Sequence, residues 1–351
     1  MRNVDYMIVG QGLAGSLVAC LLEMQRKGVL VIDNAHRTAA SMAAAGIMNP
    51  ITGKRLNRPF LVDQLLRAAF DTYPRVEQFL NAQFFQRRNV LRILKSEDES
   101  QQWKQRLASG EYAKYLASTT VSGADFIENR YGGFEIAEAG LLDVPLFVRK
   151  VRDWLFSARK LTESDFLHGE LEFTGDNVRW RDYIAKAIIF CEGYQLRCNP
   201  FFNSIQLNPA KGEVLTLRAG NFRDERIVQH EKWLLRTLTG EIKAGTTYTW
   251  KEFDETPTPA ARAEIEGSLR RLVRFDFEVV KQSAGVRPVI KVDNRPIIGL
   301  HPLQSRVAVM NGLGSKGVLQ APFAARQLLA YLEAREQIHP DFDVCRKSLW
   351  E

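Results

Sequence analysis

The chain has few of the residues that build metal or thiol redox centres: four cysteines and five histidines in 351 residues. Cys20, Cys191, Cys198 and Cys345 form no CxxC pair and have no histidine at metal-ligand spacing. Neither a zinc site nor a thioredoxin-like motif is expected, and the thiols read as incidental. No apolar run approaches the roughly 18 residues of a membrane span. Met1 to Val9 passes straight into a strand-like run without a signal-peptide pattern, so a cytoplasmic location is the expectation. Internal repeats and low-complexity linkers are missing as well. The formal charge of +7 attracts anions in general: an anionic cofactor, a carboxylate substrate or RNA. Its basic residues are scattered and form no single run, so charge alone does not favour nucleic-acid binding.

What is present is a sequence of 45% hydrophobic residues, long enough for two domains or one discontinuous pair. The opening reads as a βαβ unit: an apolar strand Asp5 to Val9, a helix Leu13 to Gln25, and a second strand Val29 to Ile32 after Gly28. From Phe60 to about Leu107 the pattern is helical and amphipathic, with the charged run Lys95 to Glu99 on solvated faces and turns. Leu146 to Phe156 is a further helix. Ala187 to Phe190, closing on Cys191-Glu192-Gly193, resembles another strand of the first sheet.

Short apolar runs at Val214 to Leu217, Trp233 to Leu235 and Ile242 to Ala244, separated by polar turns, predict an antiparallel sheet in a second, β-rich domain. Pro259 to Leu272 reads as a helix, Val307 to Met310 as a strand entering a glycine-rich turn, and Pro322 to Glu333 as a helix started by proline. The expected fold class is α/β, a dinucleotide-binding domain with a parallel sheet interleaved with an antiparallel-β substrate domain. The first domain would be discontinuous, taking residues 1–75, 140–195 and 290–351, and the second 76–139 and 196–289.

Three motifs carry chemistry. Gly10-Gln11-Gly12-Leu13-Ala14-Gly15 follows a strand and opens a helix, with Asp33 ending the next strand. Gly10 permits the tight turn, Gly12 lets the backbone approach a pyrophosphate, and Gly15 allows the helix to pack closely on the sheet. The helix start supplies free N–H groups for phosphates, and Asp33 stands where a ribose hydroxyl is accepted. FAD and NAD share these features. Ser41-Met42-Ala43-Ala44-Ala45-Gly46-Ile47-Met48 is a run of small residues past which a flat ring system fits, or an alanine-rich helical turn. Far downstream lie Ala284-Gly285-Val286-Arg287-Pro288 and Asn311-Gly312-Leu313-Gly314-Ser315-Lys316-Gly317-Val318-Leu319-Gln320-Ala321-Pro322. Gly312, Gly314 and Gly317 at a helix start expose N–H groups able to stabilise negative charge on a bound ring, or simply cap the helix.

The order of these motifs resembles the D-amino-acid-oxidase-like flavoproteins, which include glycine oxidase, sarcosine oxidase and the oxidase half of the enzyme that makes 5-methylaminomethyl-2-thiouridine in tRNA. AAAGIM is similar to the flavin-facing segment of glycine oxidase. GLGSKGVLQAP and the stretch Ile242 to Arg262 are similar to the tRNA-modifying oxidase. The resemblance covers both ends and part of the middle. It implies an FAD-binding Rossmann-like domain and oxidation of the carbon–nitrogen bond of a small amino acid or N-substituted glycine, with oxygen as acceptor and hydrogen peroxide as product. Gly10, Gly12, Ala14, Gly15 and Asp33 would hold the ADP half of FAD. Ser41, Ala45, Gly46 and Ile47 would line its middle and ring, Gly193 would lie near it, and Gly312, Gly314, Gly317, Val318 and Leu319 would approach the pyrimidine end.

Arg287 falls where the family places the arginine that binds the substrate carboxylate, a role that suits a bidentate guanidinium. Lys316 corresponds to a lysine near the flavin, Lys251 lies near the position of an oxygen-activating lysine, and Tyr248 would line the substrate pocket. No cysteine lies between Arg287 and Lys316, so non-covalent FAD is expected. Two alternatives stand beside this reading: a tRNA wobble-uridine carboxymethylaminomethyl oxidase, and a non-catalytic flavin-binding subunit of a dehydrogenase complex.

Overall fold

A computed structural model describes residues 1–35, 40–53, 55–220, 222–251 and 253–350. Its first sheet has six strands in the order Leu161–Glu163, Val29–Asp33, Tyr6–Val9, Ala187–Phe190, Gln304–Asn311 and Ile297–His301. All neighbours are parallel except the last pair, which is antiparallel. Every residue of Tyr6–Val9 and Val29–Asp33 is buried, because a parallel sheet is covered on both faces. Ile8, Val29 and Val31 point into the core shared with the Leu13–Met24 and Gly317–Ala334 helices. Met7, Val9, Leu30 and Ile32 point the other way, toward Val178, Trp180 and Ala185 of a small four-stranded sheet.

The second large sheet has eight strands: Glu278–Arg287, Ala210–Arg218, Ile242–Gly245, Trp233–Arg236, Ile227–Gln229, Val90–Ile93, Gly133–Ile136 and Leu116–Ser118. It is antiparallel as expected from the sequence, apart from one parallel junction between Ile227–Gln229 and Val90–Ile93. Side chains alternate across it. Leu234, Val228 and Leu215 pack beneath the Pro259–Leu272 helix, while Trp233, Leu235, Ile227 and Val214 face the first domain's core.

Two sequence expectations are corrected. The stretch from Phe60 to Leu107 is not continuously helical: Val62–Leu80 and Glu97–Ala108 are helices, and Phe85–Arg87 and Val90–Ile93 between them are strands. The first helix ends at Asn81 in the left-handed region (φ 47), and the Glu77 carboxylate then accepts the Phe84 and Phe85 N–H groups, both at 2.6 Å. Val90–Ile93 is buried on both faces, so it lacks the alternation that marks a strand. Lys95 to Glu99 is more than a solvated run. Ser96 caps the second helix by accepting from Glu99 N–H, and buried Glu99 pairs with buried Arg92.

The last helix starts at Gly317, five residues before Pro322, so proline does not start it. Pro322 lacks the N–H that would bond the Val318 carbonyl. Tyr73 Oη, fully buried, donates to that carbonyl instead at 2.7 Å. Tyr73→Phe leaves the carbonyl unpaired and lowers the unfolding free energy by about 1–3 kcal/mol in denaturant titration. In a Pro322→Ala background the restored N–H takes the carbonyl, and the cost of Tyr73→Phe shrinks. An equal cost in both backgrounds removes this account of the proline.

Candidate active site

The carboxyl ends of the parallel strands and one face of the large sheet enclose a cavity of about 860 Å³. In open α/β sheets this is where ligands bind. Three segments that are far apart in sequence build much of its wall.

The first is the glycine turn. Gly10, at φ +93°, donates its N–H to Ile32 O at 2.8 Å and so ties the turn to the next strand. A Cβ on Gly15 would stand 1.9 Å from Gly10 O, so the helix lies against the turn as only glycine allows. Gly15 itself is not part of the cavity wall, whereas Gly10, Gly12 and Ala14 are. No side chain of the preceding residue caps the helix, and Leu13 N–H bonds Ser41 Oγ at 2.9 Å. The rest of its first turn is free for an anion. Asp33 lines the cavity and accepts from Gln11 N–H at 2.9 Å and from Arg152 Nη1 at 3.0 Å.

The second segment is the small-residue run. Ala40–Ala43 forms a single 3-10 turn and Ile47–Met48 a short strand. The turn lies close to Gly285 of the large sheet, where an added Cβ would be 3.1 Å from Ala40 Cα. Ser41, Ala45, Gly46 and Ile47 all line the cavity, as does Gly193, whose carbonyl accepts from Asn311 Nδ2 at 3.0 Å.

The third is the glycine-rich turn. Gly314, Lys316, Gly317, Val318 and Leu319 line the cavity, while Gly312 (φ +73°) lies behind them against Ile290. Lys316 is half-buried with no hydrogen bond or ion pair to the described residues, and this desolvation lowers its pKa from the usual lysine value.

Arg287 closes the far end. Its Nη2 donates to Thr246 Oγ1 at 2.8 Å, and Cζ sits 4.5 Å from the centre of the Tyr248 ring. A Cβ on Gly212 would lie 2.0 Å from Nη2, so glycine there makes room for the guanidinium. Nη1 is buried without a partner among the described residues. Burial lowers the arginine's pKa, and Tyr248 partly offsets this. Tyr248 lines the cavity at its mouth, 52% exposed. Lys251 does not reach the cavity; it is exposed on the chain beyond the Ile242–Gly245 strand, as for an ordinary solvated lysine.

Several site residues escaped sequence reasoning. Arg152, 119 positions from Asp33, ties Asp33, Gln11 and Glu163 together. His168 and Glu192 line the cavity 3.1 Å apart, with Asn199 also donating to Glu192. Asn49 and Gln229 form a hydrogen-bonded pair in its wall beside Trp233. Only Trp233 carried a signal, as a large aromatic within an expected strand.

Comparison with known proteins agrees with this architecture. A family model described as FAD-dependent oxidoreductase (DAO) matches residues 5–332. The glycine oxidase of Bacillus subtilis is 23% identical over 381 aligned positions, covering 97% of this chain and 96% of that protein. The bifunctional tRNA 5-methylaminomethyl-2-thiouridine biosynthesis protein of Marinobacter nauticus is also 23% identical, over 92% of this chain. The chain spans about half of that protein's length, 54%. Among solved structures, a glycine oxidase from Bacillus cereus superposes with a TM-score of 0.80 at 17% identity, covering 96% of this chain and 99% of its own. An iminodiacetate oxidase from a Chelativorans species gives 0.77 at 19%, covering 95% and 96%. At these identities the structural likeness shows the fold.

Gly12→Val would place a Cβ 3.1 Å from Ser41 Oγ and fill the cradle at the helix start. The variant should fold with native circular dichroism and retain no FAD. Asp33→Ala, losing one acceptor among several contacts, weakens FAD affinity by about 3- to 10-fold. Purification of Gly12→Val with a full complement of FAD contradicts the cradle.

Proposed function

Because the chain belongs to the FAD-dependent oxidoreductase (DAO) family, we propose that it oxidises the carbon–nitrogen bond of a small amino acid or N-substituted glycine whose carboxylate is held by Arg287. The observation that carries this reading is the buried, unpartnered Nη1 of Arg287 in a cavity large enough for a dinucleotide and a substrate. A buried cationic donor without an acceptor is costly, and a carboxylate oxygen is the partner that satisfies it best. Tyr248 and Thr246 hold the guanidinium plane, so the carboxylate is received in one orientation.

FAD bound here would supply the hydride acceptor for the substrate's α-carbon, and oxygen as final acceptor would yield hydrogen peroxide. The glycine turn with Asp33 would hold its adenosine diphosphate half. Ser41, Ala45, Gly46, Ile47, Gly193, Gly314, Gly317, Val318 and Leu319 would line its remainder. Gly15 and Gly312 would act by shaping the turns behind that wall. Lys316 contributes a positive charge beside Gly314 and Gly317, favouring negative charge on a bound ring. The cofactor is read as non-covalent. No cysteine lies between Arg287 and Lys316, and of the two that line the cavity Cys191 is buried, which raises its thiol pKa, and Cys198 is exposed. Residues 1–75, 140–195 and 290–351 are assigned to the cofactor domain, and 76–139 and 196–289 to the substrate domain. The two large sheets draw their strands from these two sets.

A second reading has one observation in its favour. Tyr248, at the cavity mouth, and Trp250, beyond the lining, stack with centroids 6.4 Å apart and stand 52% and 46% exposed, a platform on which a nucleobase carrying an N-substituted glycine could rest. Retention of tRNA at moderate salt, lost in Trp250→Ala, supports it.

Anaerobic mixing with amino acids should bleach the flavin, and denaturation should release FAD. Arg287→Ala keeps FAD and lowers kcat/KM for the best carboxylate substrate by roughly 30-fold to several thousand-fold, with Arg287→Lys recovering part. Equal oxidation of decarboxylated analogues by the wild type rejects the anchor.

Lys316 provides a pH test. Its lowered pKa means that the charge is lost on alkalinisation earlier than for a solvated lysine. Flavin reduction should therefore decline on the alkaline side, and Lys316→Met should remove that limb. An unchanged profile in the variant shows that Lys316 plays no part.

A further inference from the structure

On the cavity face of the large sheet, residues directly opposite one another run Val214, Gly245, Trp233, Gln229 and Arg92. Arg287 leans over Gly212 and bonds Thr246, next to Gly245 in the chain, so its guanidinium ends near the Gly245 end of this row. From Gly212, beneath the guanidinium, Gln229 lies three strands away, about 14 Å across the sheet, with Trp233 between.

Gln229 is held in one orientation. Asn49 Oδ1 accepts from Ile51 N–H at 2.9 Å, so its Nδ2 is the end that donates, at 2.9 Å, to Gln229 Oε1. With its oxygen committed, Gln229 has only Nε2 left, a double donor with no hydrogen bond to the described residues. Arg92, next in the row, is neutralised by Glu99. The free polar capacity at this end is therefore donor capacity.

We propose that Gln229, oriented by Asn49, is a second substrate-recognition group. It donates to an acceptor oxygen at the end of the substrate opposite the carboxylate on Arg287. The substrate class is then an N-substituted amino acid whose substituent bears a carboxylate or carbonyl, with Trp233 packing on the chain between. This deepens the reading of Arg287 as the carboxylate anchor and rests on it. Asn49 is a positioning residue, and Gln229 is the one that touches substrate.

The test uses two pairs of isosteres. Glutarate and butyrate, which cannot be oxidised at nitrogen, match iminodiacetate and sarcosine in shape. In calorimetric titrations of the FAD-loaded protein, glutarate should bind about 10- to 100-fold tighter than butyrate. Gln229→Leu should erase that preference and leave butyrate within about twofold. Gln229→Glu, which offers an acceptor where a donor stood, should invert it. Asn49→Ala should reduce it in part. Equal binding of the two acids by the wild type overturns the proposal, as does a Gln229→Leu variant that weakens both alike, since that is a structural effect. Flavin bleaching by iminodiacetate over sarcosine should follow the same ratio. If the acids discriminate as expected but neither amine bleaches the flavin, two-point recognition stands and amine oxidation falls. If Arg287→Ala leaves both acids bound as before, the anchor is wrong and the proposal falls with it.

Discussion

A guanidinium nitrogen enclosed by protein, with no acceptor among the described residues, is the constraint around which this site is built. Burying such a donor costs more than a typical hydrogen bond returns, so the surrounding structure must hold it in place until a ligand satisfies it. Three features do so. Gly212 vacates the volume, Thr246 takes one nitrogen, and the Tyr248 ring covers the face. They come from the Ala210–Arg218 strand of the large sheet and the chain beyond its neighbour Ile242–Gly245, so the arginine pocket exists only once these two strands and Glu278–Arg287 have paired. That sheet itself joins strands from residues 90–136 to strands from residues 210–287 through a single parallel junction. The proposed substrate anchor thus depends on long-range pairing, and the glycine turn at the other end depends on a local βαβ unit.

This difference explains what could be read from the chain. Gly10, Gly12, Gly15 and Asp33 were legible because turn, helix and strand follow one another within a few tens of residues, and each glycine has a local reason. The strands around Trp233 and Ile242 were legible from short apolar runs between turns. Val90–Ile93 was not, since a strand buried on both faces shows no alternation and sits between two amphipathic helices. Arg152, Asn49 and Gln229 were invisible for a different reason: their partners lie 119 to 180 positions away, and nothing in their own neighbourhoods marks them. Tyr248 and Lys251, three residues apart, were both candidates from sequence, with a solvated lysine the better reading of Lys251. The path of the chain after the Ile242–Gly245 strand puts the first on the cavity and the second in solvent.

The charges within the cavity are not balanced pair by pair. Its anionic side chains are engaged: Asp33 by Arg152 and Gln11, and Glu192 by His168 and Asn199. Among the described residues, its unpaired cations are Lys316 and the free side of Arg287. An interior that satisfies its carboxylates and leaves cationic donors open selects against positively charged ligands and favours anionic ones at close range, where low polarity strengthens the field. The net charge of +7 acts in the same direction at a distance, but it is spread over the surface and screened by salt, so it concentrates anions near the protein without choosing among them. Discrimination must come from the enclosed groups. In the proposed role, Arg287 would distinguish a carboxylate from a plain amine, because only the former would fill Nη1. A neutral donor such as Gln229 then discriminates by geometry without adding a charge that would have to be desolvated, and this makes an amide a less costly second contact than another arginine would be.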